Sequence, residues 1–559
     1  MSNTRRGIPI TSSRIEKIFP KLTPAQLSRI AARGHIRSME GGEVLYEQGD
    51  RAAPFFVVVS GELEVVRPSF PVETLVTVYE PSQFTGEVGT LSGRRSLFRV
   101  RATKPGKIIE LNRQQMLALI QTDAELGEIL MRAFILRRVE LIAAGVGDIV
   151  LIGSTYSTST LRIKEFLVRN GQPYSYMDLE RDPDVQNLLD SFQVSASEIP
   201  VLICRGQLVL RNPSNQQIAD CLGFNESINQ THVRDLVVIG AGPSGLAAAV
   251  YGASEGLDVM VLETSSPGGQ AGSSSRIENY LGFPTGISGQ DLAGRAYVQA
   301  QKFGADILIA KATRLICDRK PYFVEVENGS RIPARTIVIA TGAEYRRPPC
   351  KNLLRFEGAG VYYGATFVEA QLCGGEEVIV VGGGNSAGQA AVFLAQTAKR
   401  VYMLVRSTSL AASMSRYLIR RIEESPTIIF RPQTEIVTLE GGEGDHLNSV
   451  HWRNSQTGQT EKHEIRHLFV MTGADPNTSW LDGCIALDDK DFIKTGPDLL
   501  PENLSAAGWP LTRQPYLLES SLPGVFAVGD VRGGSIKRVA SAVGEGSTAI
   551  SFVHKVLQE

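Results

Sequence analysis

Three glycines, Gly240, Gly242 and Gly245, break the run DLVVIGAGPSGLAAAV in the order G-x-G-x-x-G. This spacing lets a buried strand turn sharply into a helix while the backbone approaches a pyrophosphate, whose charge the helix N-terminus then favours. Glu263 closes the following apolar run VMVLE, where a carboxylate takes a ribose hydroxyl. The pattern returns in EEVIVVGGGNSAGQAA, with Gly382, Gly384 and Ala387 in the G-x-G-x-x-A form. Two such units imply two dinucleotide cofactors.

Other chemistry is excluded by spacing. HEIRH, His463 to His467, has the order of a zinc-protease motif, which works only on a helix. It runs into LFVMTG and reads as strand, which would hold the imidazoles about 13 Å apart, too far to share a zinc ion. We therefore expect no metal site. The six cysteines (Cys204, Cys221, Cys317, Cys350, Cys373 and Cys484) are far apart and form no C-x-x-C, so neither a zinc site nor a local redox pair is written. A disulfide scaffold is not expected.

The elements that must position these residues belong to a large chain. Its 559 residues exceed one hydrophobic core, so three or four domains are expected. With 57 basic and 59 acidic side chains the net charge is -2, and no basic run offers a nucleic-acid or membrane surface. Fifty-five glycines cluster after apolar runs, as in nucleotide-binding α/β proteins. No apolar run is long enough to span a bilayer, and MSNTRRGIPITSS lacks the apolar core of a secretory signal, so a cytoplasmic protein is expected.

From Gly41 to Leu111, short strands alternate with glycines (GGEVLYEQGD, FFVVVSGELEVV, KIIELN), and ELGEILMRAFILRRVELIAAG follows at helical spacing. This resembles the cyclic nucleotide-binding domain, a β-roll with helices, expected over 1–145. The resemblance implies a phosphate cassette in which Gly86 and Glu87 supply the ribose carboxylate. Its arginine is expected slightly beyond Arg95, where Ser96 stands; a one-residue shift assigns it to Arg95, with Ser96 as hydroxyl donor. Two readings stay open: a cyclic nucleotide site, or a degenerate dimerisation or docking module.

Residues 146–225 carry DIVLIGS, LRIKEFLVRNG, YSYMDLE and IPVLICRGQLVL. They resemble the thioredoxin and glutaredoxin fold, with Glu198-Ile199-Pro200 at the position of that family's cis-proline loop. Where a catalytic cysteine would stand, Ser154 to Thr160 reads STYSTST, so no low-pKa thiolate is available. A spacer or recognition surface is one reading; a redox role for Cys204 or Cys221 is the other.

From His232 to Glu559 the two glycine turns are joined by SPGGQ, RIENYLGFPTGISG, IVIATGA, FVMTGADPNTSWL and LPGVFAVGDVRGGSIKRVASAVGEGSTAI. In this order they resemble low-molecular-weight thioredoxin reductase end to end. The resemblance implies an FAD domain over 233–348 and 477–559 and a nicotinamide domain over 349–476. The whole is then a multidomain fold: a β-roll plus helices, a thioredoxin-like α/β domain and two Rossmann-like three-layer α/β domains.

By the same resemblance Glu263, Gly269, Gln270 and Asn279 hold FAD, Asp530 takes the ribityl chain, and Lys537, Arg538 and Val539 lie beneath the flavin. The family's Arg-Gln-Ala is altered there, which brings a cation near the ring. For the nicotinamide coenzyme one arginine of three remains, Arg406 between Val405 and Ser407, with Ala411 further on; NADPH is expected, with NADH as the alternative. A homodimer is also implied.

The family's two redox cysteines flank an Ala-Thr pair, and here those positions are Gly364 and Phe367, followed by Val368. Glu369 and Cys373 are the polar or reactive groups left nearby. The expected function is an NAD(P)H-dependent flavin oxidoreductase that passes electrons to an external acceptor: a quinone, a ferredoxin or flavodoxin, or a small oxidant. The alternatives are thioredoxin-disulfide reduction through other cysteines, and a nucleotide and redox sensor without turnover.

Overall fold

The computed structural model describes residues 15–559 apart from 52, 69–72, 87, 93, 144–148, 155–156, 180–181, 183–184, 186–188, 190–193, 195–197, 205–207, 226–228, 275, 442–445 and 482. The chain divides into two compact units. The first comprises 1–153, 170–227 and 298–309, the second 154–169, 228–297 and 310–559.

In the first unit, strands His35–Met39, Arg99–Leu111, Phe55–Arg67 and Thr74–Tyr79 pair antiparallel in that order, and Val44–Tyr46 joins Arg99–Leu111. The inward side chains Phe56, Val58, Leu63 and Val100 make one core with Ile18 and Tyr79. A second aromatic contact closes the roll: Phe55, Phe84 and Phe134 meet with ring centroids 5.8 to 6.2 Å apart. Phe134 belongs to the helix Ala124–Ala143, so that helix is fixed to the roll by ring packing.

The same unit holds a sheet in the order Ser175–Asp178, Ile149–Gly153, Val201–Cys204, Leu208–Arg211, whose first pair is parallel and the others antiparallel. The Ile199–Pro200 peptide is cis. Cys204 lies buried on the third strand, and Cys221 is buried on the helix Asn215–Leu222.

The second unit carries two parallel cores. In the first, strands Val259–Glu263, Arg234–Ile239 and Arg331–Ile339 lie side by side, with Val525–Ala527 on the far edge of the last. Antiparallel strands Tyr322–Val326 and Ala312–Ile316 extend it. The helix Val539–Gln558 packs on Pro243–Ser254 so closely that a Cβ at Gly546 would lie 2.1 Å from the Ser244 carbonyl oxygen. The second core orders Val361–Tyr362, His467–Val470, Glu377–Val381, Arg400–Val405 and Ile428–Pro432, all parallel. Strands covered on both faces read as unbroken apolar runs, and Val378, Ile379 and Val380 are fully buried.

Two expectations meet the structure here. His463 ends the strand Thr460–His463 and His467 opens the strand His467–Val470, so no helix presents the two imidazoles together. One disulfide that the sequence reading did not anticipate joins Cys317 and Cys484, with Cα atoms 6.1 Å apart across 167 residues of sequence. Such a distant partner leaves no spacing signal. Among the described residues no helix is long and apolar enough to cross a membrane.

Candidate functional site

Each glycine of the first turn has its own constraint. Gly240 has φ +104°, and a Cβ there would lie 2.3 Å from the Ala340 carbonyl oxygen. A Cβ at Gly245 would come within 1.8 Å of the Gly240 oxygen. At Gly242, by contrast, a Cβ would meet nothing within 4 Å. Gly242 is the N-cap of the helix Pro243–Ser254, and no side chain caps it. The uncapped N–H groups and the open space in front of them form a cradle for an anion.

Glu263, buried at its strand end, accepts from the Ala241 N–H at 2.7 Å and the Ser265 N–H at 3.0 Å, which holds its carboxylate against the glycine turn. Gly268 donates to the Ala241 carbonyl at 2.7 Å, and Gly269, at φ +52°, lies against Gly242. Gln270 reaches across to the Ala343 carbonyl. Asn279 is exposed.

On the other side of the turn, Gly529 has φ +71°, and a Cβ there would lie 2.6 Å from Ser244 Oγ, so Asp530 is brought beside the same helix end. Burial pushes the Asp530 carboxyl up, and Lys537 opposes this. Glu545, which sequence reasoning missed, accepts the Gly529 N–H at 2.6 Å and pairs with Arg532 at 2.6 Å. Arg538 is the exposed N-cap of Val539–Gln558, and Val539 is half-buried at its start.

The second turn repeats the first. Gly382 has φ +144°, and its Cβ would strike the Met471 carbonyl oxygen at 2.3 Å; Gly384 faces open space and N-caps Asn385–Leu394 without a side-chain bond. Ala387 is fully buried beneath Gly382. Arg406 is exposed just past the strand Arg400–Val405. Burial pushes the Tyr345 hydroxyl up; Ser386, at the second cradle, opposes this, and the charge of Asp530, at the first, adds to it.

Gly364 follows the strand Val361–Tyr362, and a Cβ there would meet nothing within 4 Å. Phe367 begins the helix Phe367–Leu372; its side chain and that of Val368 lie outside the described residues. Glu369 is buried and accepts from the Thr366 N–H at 2.7 Å and from the Thr366 hydroxyl. Cys373 is fully buried, and burial pushes its thiol up to about 11. Cys350 is pushed up to about 11 by the same cause. Such thiols are poor nucleophiles at neutral pH.

The count of polar groups here needs one correction. Glu165, far away in sequence, hydrogen-bonds Glu369, and burial together with Glu369 pushes its carboxyl up to about 8. It arrives on the helix Thr158–Arg169, which packs within the second unit. Leu161 lies on the nicotinamide-side core, Thr158 Oγ1 donates to the Glu357 carbonyl at 2.8 Å, and Arg169 donates to the Gly269 carbonyl at 2.7 Å.

In the first unit, Gly86 has φ +97°, and a Cβ there would press on Phe134 at 3.0 Å. Glu87 lies outside the described residues. Arg95 donates to the Gly49 carbonyl at 3.3 Å, and its stem covers Gly223; Ser96 Oγ donates to the Phe98 carbonyl at 2.7 Å. Both line a cavity of the roll.

Comparison with known proteins matches residues 234–546 to the pyridine nucleotide-disulphide oxidoreductase family and residues 36–123 to the cyclic nucleotide-binding domain. NADPH-dependent thioredoxin reductase 3 of Arabidopsis thaliana is 29% identical, over 63% of this chain and 65% of its own length. Thioredoxin reductase of Mycoplasmopsis pulmonis is 30% identical, over 58% of this chain and 97% of its own. The crystal structure of Lactococcus lactis thioredoxin reductase in its FR conformation covers 58% of this chain and 100% of that one, at 26% identity and a TM-score of 0.52.

Proposed function

Because the chain belongs to the pyridine nucleotide-disulphide oxidoreductase family, in its thioredoxin reductase-like branch, we propose that it oxidises NAD(P)H and delivers the electrons to an external acceptor rather than to a dithiol of its own. The observation that carries this reading is Gly364 and Phe367 at the two positions where the family resemblance expects cysteine. The free thiols nearest in sequence to that helix, Cys350 and Cys373, are both pushed up to about 11 by burial, which weighs against a replacement relay.

FAD belongs at the first cradle and NADPH at the second. Open space at Gly242 and Gly384 fits a pyrophosphate at each helix N-terminus, and Glu263 is oriented toward the turn for a ribose hydroxyl. Asp530 adjoins the first cradle, Gln270 and Gly269 wall it, and Arg538 and Val539 open the helix expected under the flavin. Arg406 is free to reach a 2′-phosphate, which favours NADPH over NADH. When bound, FAD supplies two-electron chemistry between the coenzyme and the acceptor.

The acceptor class is a quinone, a ferredoxin or flavodoxin, or a small oxidant. A cyclic nucleotide is the ligand we assign to the β-roll, from its family match, and residues 146–225 we read as a thioredoxin-like domain without a redox cysteine. Purified holoprotein should consume NADPH with ferricyanide or a quinone and leave a thioredoxin disulfide unreduced. Robust thioredoxin reduction would defeat the assignment.

A further inference from the structure

The bond between Cys317 and Cys484 lies within reach of solvent: both residues are half-buried, whereas the free cysteines Cys204, Cys221 and Cys373 are buried. Cys317 follows directly on the strand Ala312–Ile316, which ends one side of the sheet of the first parallel core. Beyond it stand the exposed Arg319 and Lys320 against one acid, Asp318. Cations beside a broken disulfide favour the departing thiolate, and a bond that solvent reaches is open to attack by an outside thiol.

Cys484 comes two residues before a hairpin. Within it the Lys494 N–H donates to the Ala486 carbonyl at 3.1 Å, the Asp488 N–H donates to the Phe492 carbonyl at 2.8 Å, and Leu487 pairs with Ile493. The fully buried Ile493 also clamps the segment that carries Asp530. Its N–H donates to the Val531 carbonyl at 3.1 Å, and its carbonyl accepts the Gly533 N–H at 2.9 Å. Phe492 supports the same segment further on, with Lys537 Nζ 5.0 Å from its ring centre. The disulfide thus ties the start of the hairpin to the sheet, and the far side of the hairpin braces residues 529–537.

We propose that the Cys317–Cys484 bond is a redox-modification site for an external dithiol, and that opening it loosens the hairpin 486–494 and the segment 529–537, weakening the hold on FAD. One thiolate of the dithiol attacks a sulfur of the bond, forming a mixed disulfide and expelling the other cysteine as a thiolate. The second thiol of the dithiol then displaces the remaining cysteine. Two electrons and two protons pass from the dithiol, which ends as a disulfide, to the two cysteines, which end as thiols. The hairpin loosens because a covalent tie between residues 167 apart in sequence is lost. The part that concerns FAD rests on its assignment to the first cradle, and the experiment separates the two.

Full-length holoprotein is treated with dithiothreitol without denaturant, and the freed thiols are alkylated and mapped by mass. Cys317 and Cys484 should be modified while Cys204, Cys221 and Cys373 are not. Hydrogen exchange over 486–494 and 529–537 should quicken threefold or more, exchange over the strand Arg234–Ile239 should stay as it was, and reoxidation should restore the starting rates. FAD, followed by its fluorescence on dilution, should leave the reduced protein at least threefold faster. Cys317→Ser and Cys484→Ser should each reproduce the reduced rates with no further response to dithiothreitol; should neither fold, the reduced wild type decides alone. A bond that resists dithiothreitol until the whole protein unfolds overturns the inference, as does one that opens with exchange over both segments, or the rate of FAD loss, unchanged. Loosening of both segments in a protein that carries no FAD would uphold the site and sink the FAD assignment.

Discussion

Glu165 hydrogen-bonds Glu369, so that the helix Thr158–Arg169 meets, carboxyl to carboxyl, the helix Phe367–Leu372. The pair can exist only while it retains a proton. Burial and Glu369 raise the Glu165 pKa to about 8, whereas in an unfolded chain it would lie near the ordinary value of about 4.3. The folded state therefore binds the extra proton between these limits. The stability from this pair is fully present below the ordinary glutamate pKa and falls as pH rises through about 8, by a few kcal/mol at most. Hydrogen exchange of residues 158–169 should accelerate from pH 6 to pH 8.5 beyond the intrinsic chemical rate, and Glu165→Gln should flatten that excess. An unchanged slope in the variant would show that the pair does not hold the helix.

At the first cradle the two outcomes of a glycine substitution separate by position. Gly242→Val should fold, since its Cβ meets no protein atom, and yet purify without yellow colour because the side chain fills the pyrophosphate space. Gly245→Val should fail to fold, with a Cβ 1.8 Å from the Gly240 oxygen. Flavin content by absorbance decides, and full occupancy in Gly242→Val would overturn the assignment.

Coenzyme choice is expected to rest on Arg406. Arg406→Ala should raise the KM for NADPH about tenfold and leave that for NADH nearly unchanged, the loss of one charge-assisted contact to the 2′-phosphate. Steady-state kinetics with both coenzymes test it; equal effects would remove Arg406 from the site.

The parts of the site visible in the sequence are those fixed by local backbone geometry. Gly240, Gly242 and Gly245 announce their turn because strand, turn and helix are contiguous, and Gly382, Gly384 and Ala387 do so for the same reason. Glu263 was legible because one helix and one strand set its distance from the turn. Glu165 was not, since only tertiary packing brings it to Glu369. Arg137, buried on the helix Ala124–Ala143, was not legible either, since nothing in RRVEL tells a snorkelling cation from a buried one. Glu545, amid the small residues of AVGEGSTAI, left a faint signal: an acid on the helix face that must pack closely.

Anaerobic titration of the holoprotein with NADPH, followed by absorbance, tests the central claim most directly. On the proposed reading, Gly364 and Phe367 stand where the resemblance places the cysteines, so no thiolate of that pair lies against the flavin and no dithiol there takes a second electron pair. One equivalent of NADPH should bleach the flavin completely, without a long-wavelength thiolate charge-transfer band. Uptake of a second equivalent, or the appearance of that band, would contradict the account and show that cysteines from elsewhere in the chain replace the missing pair.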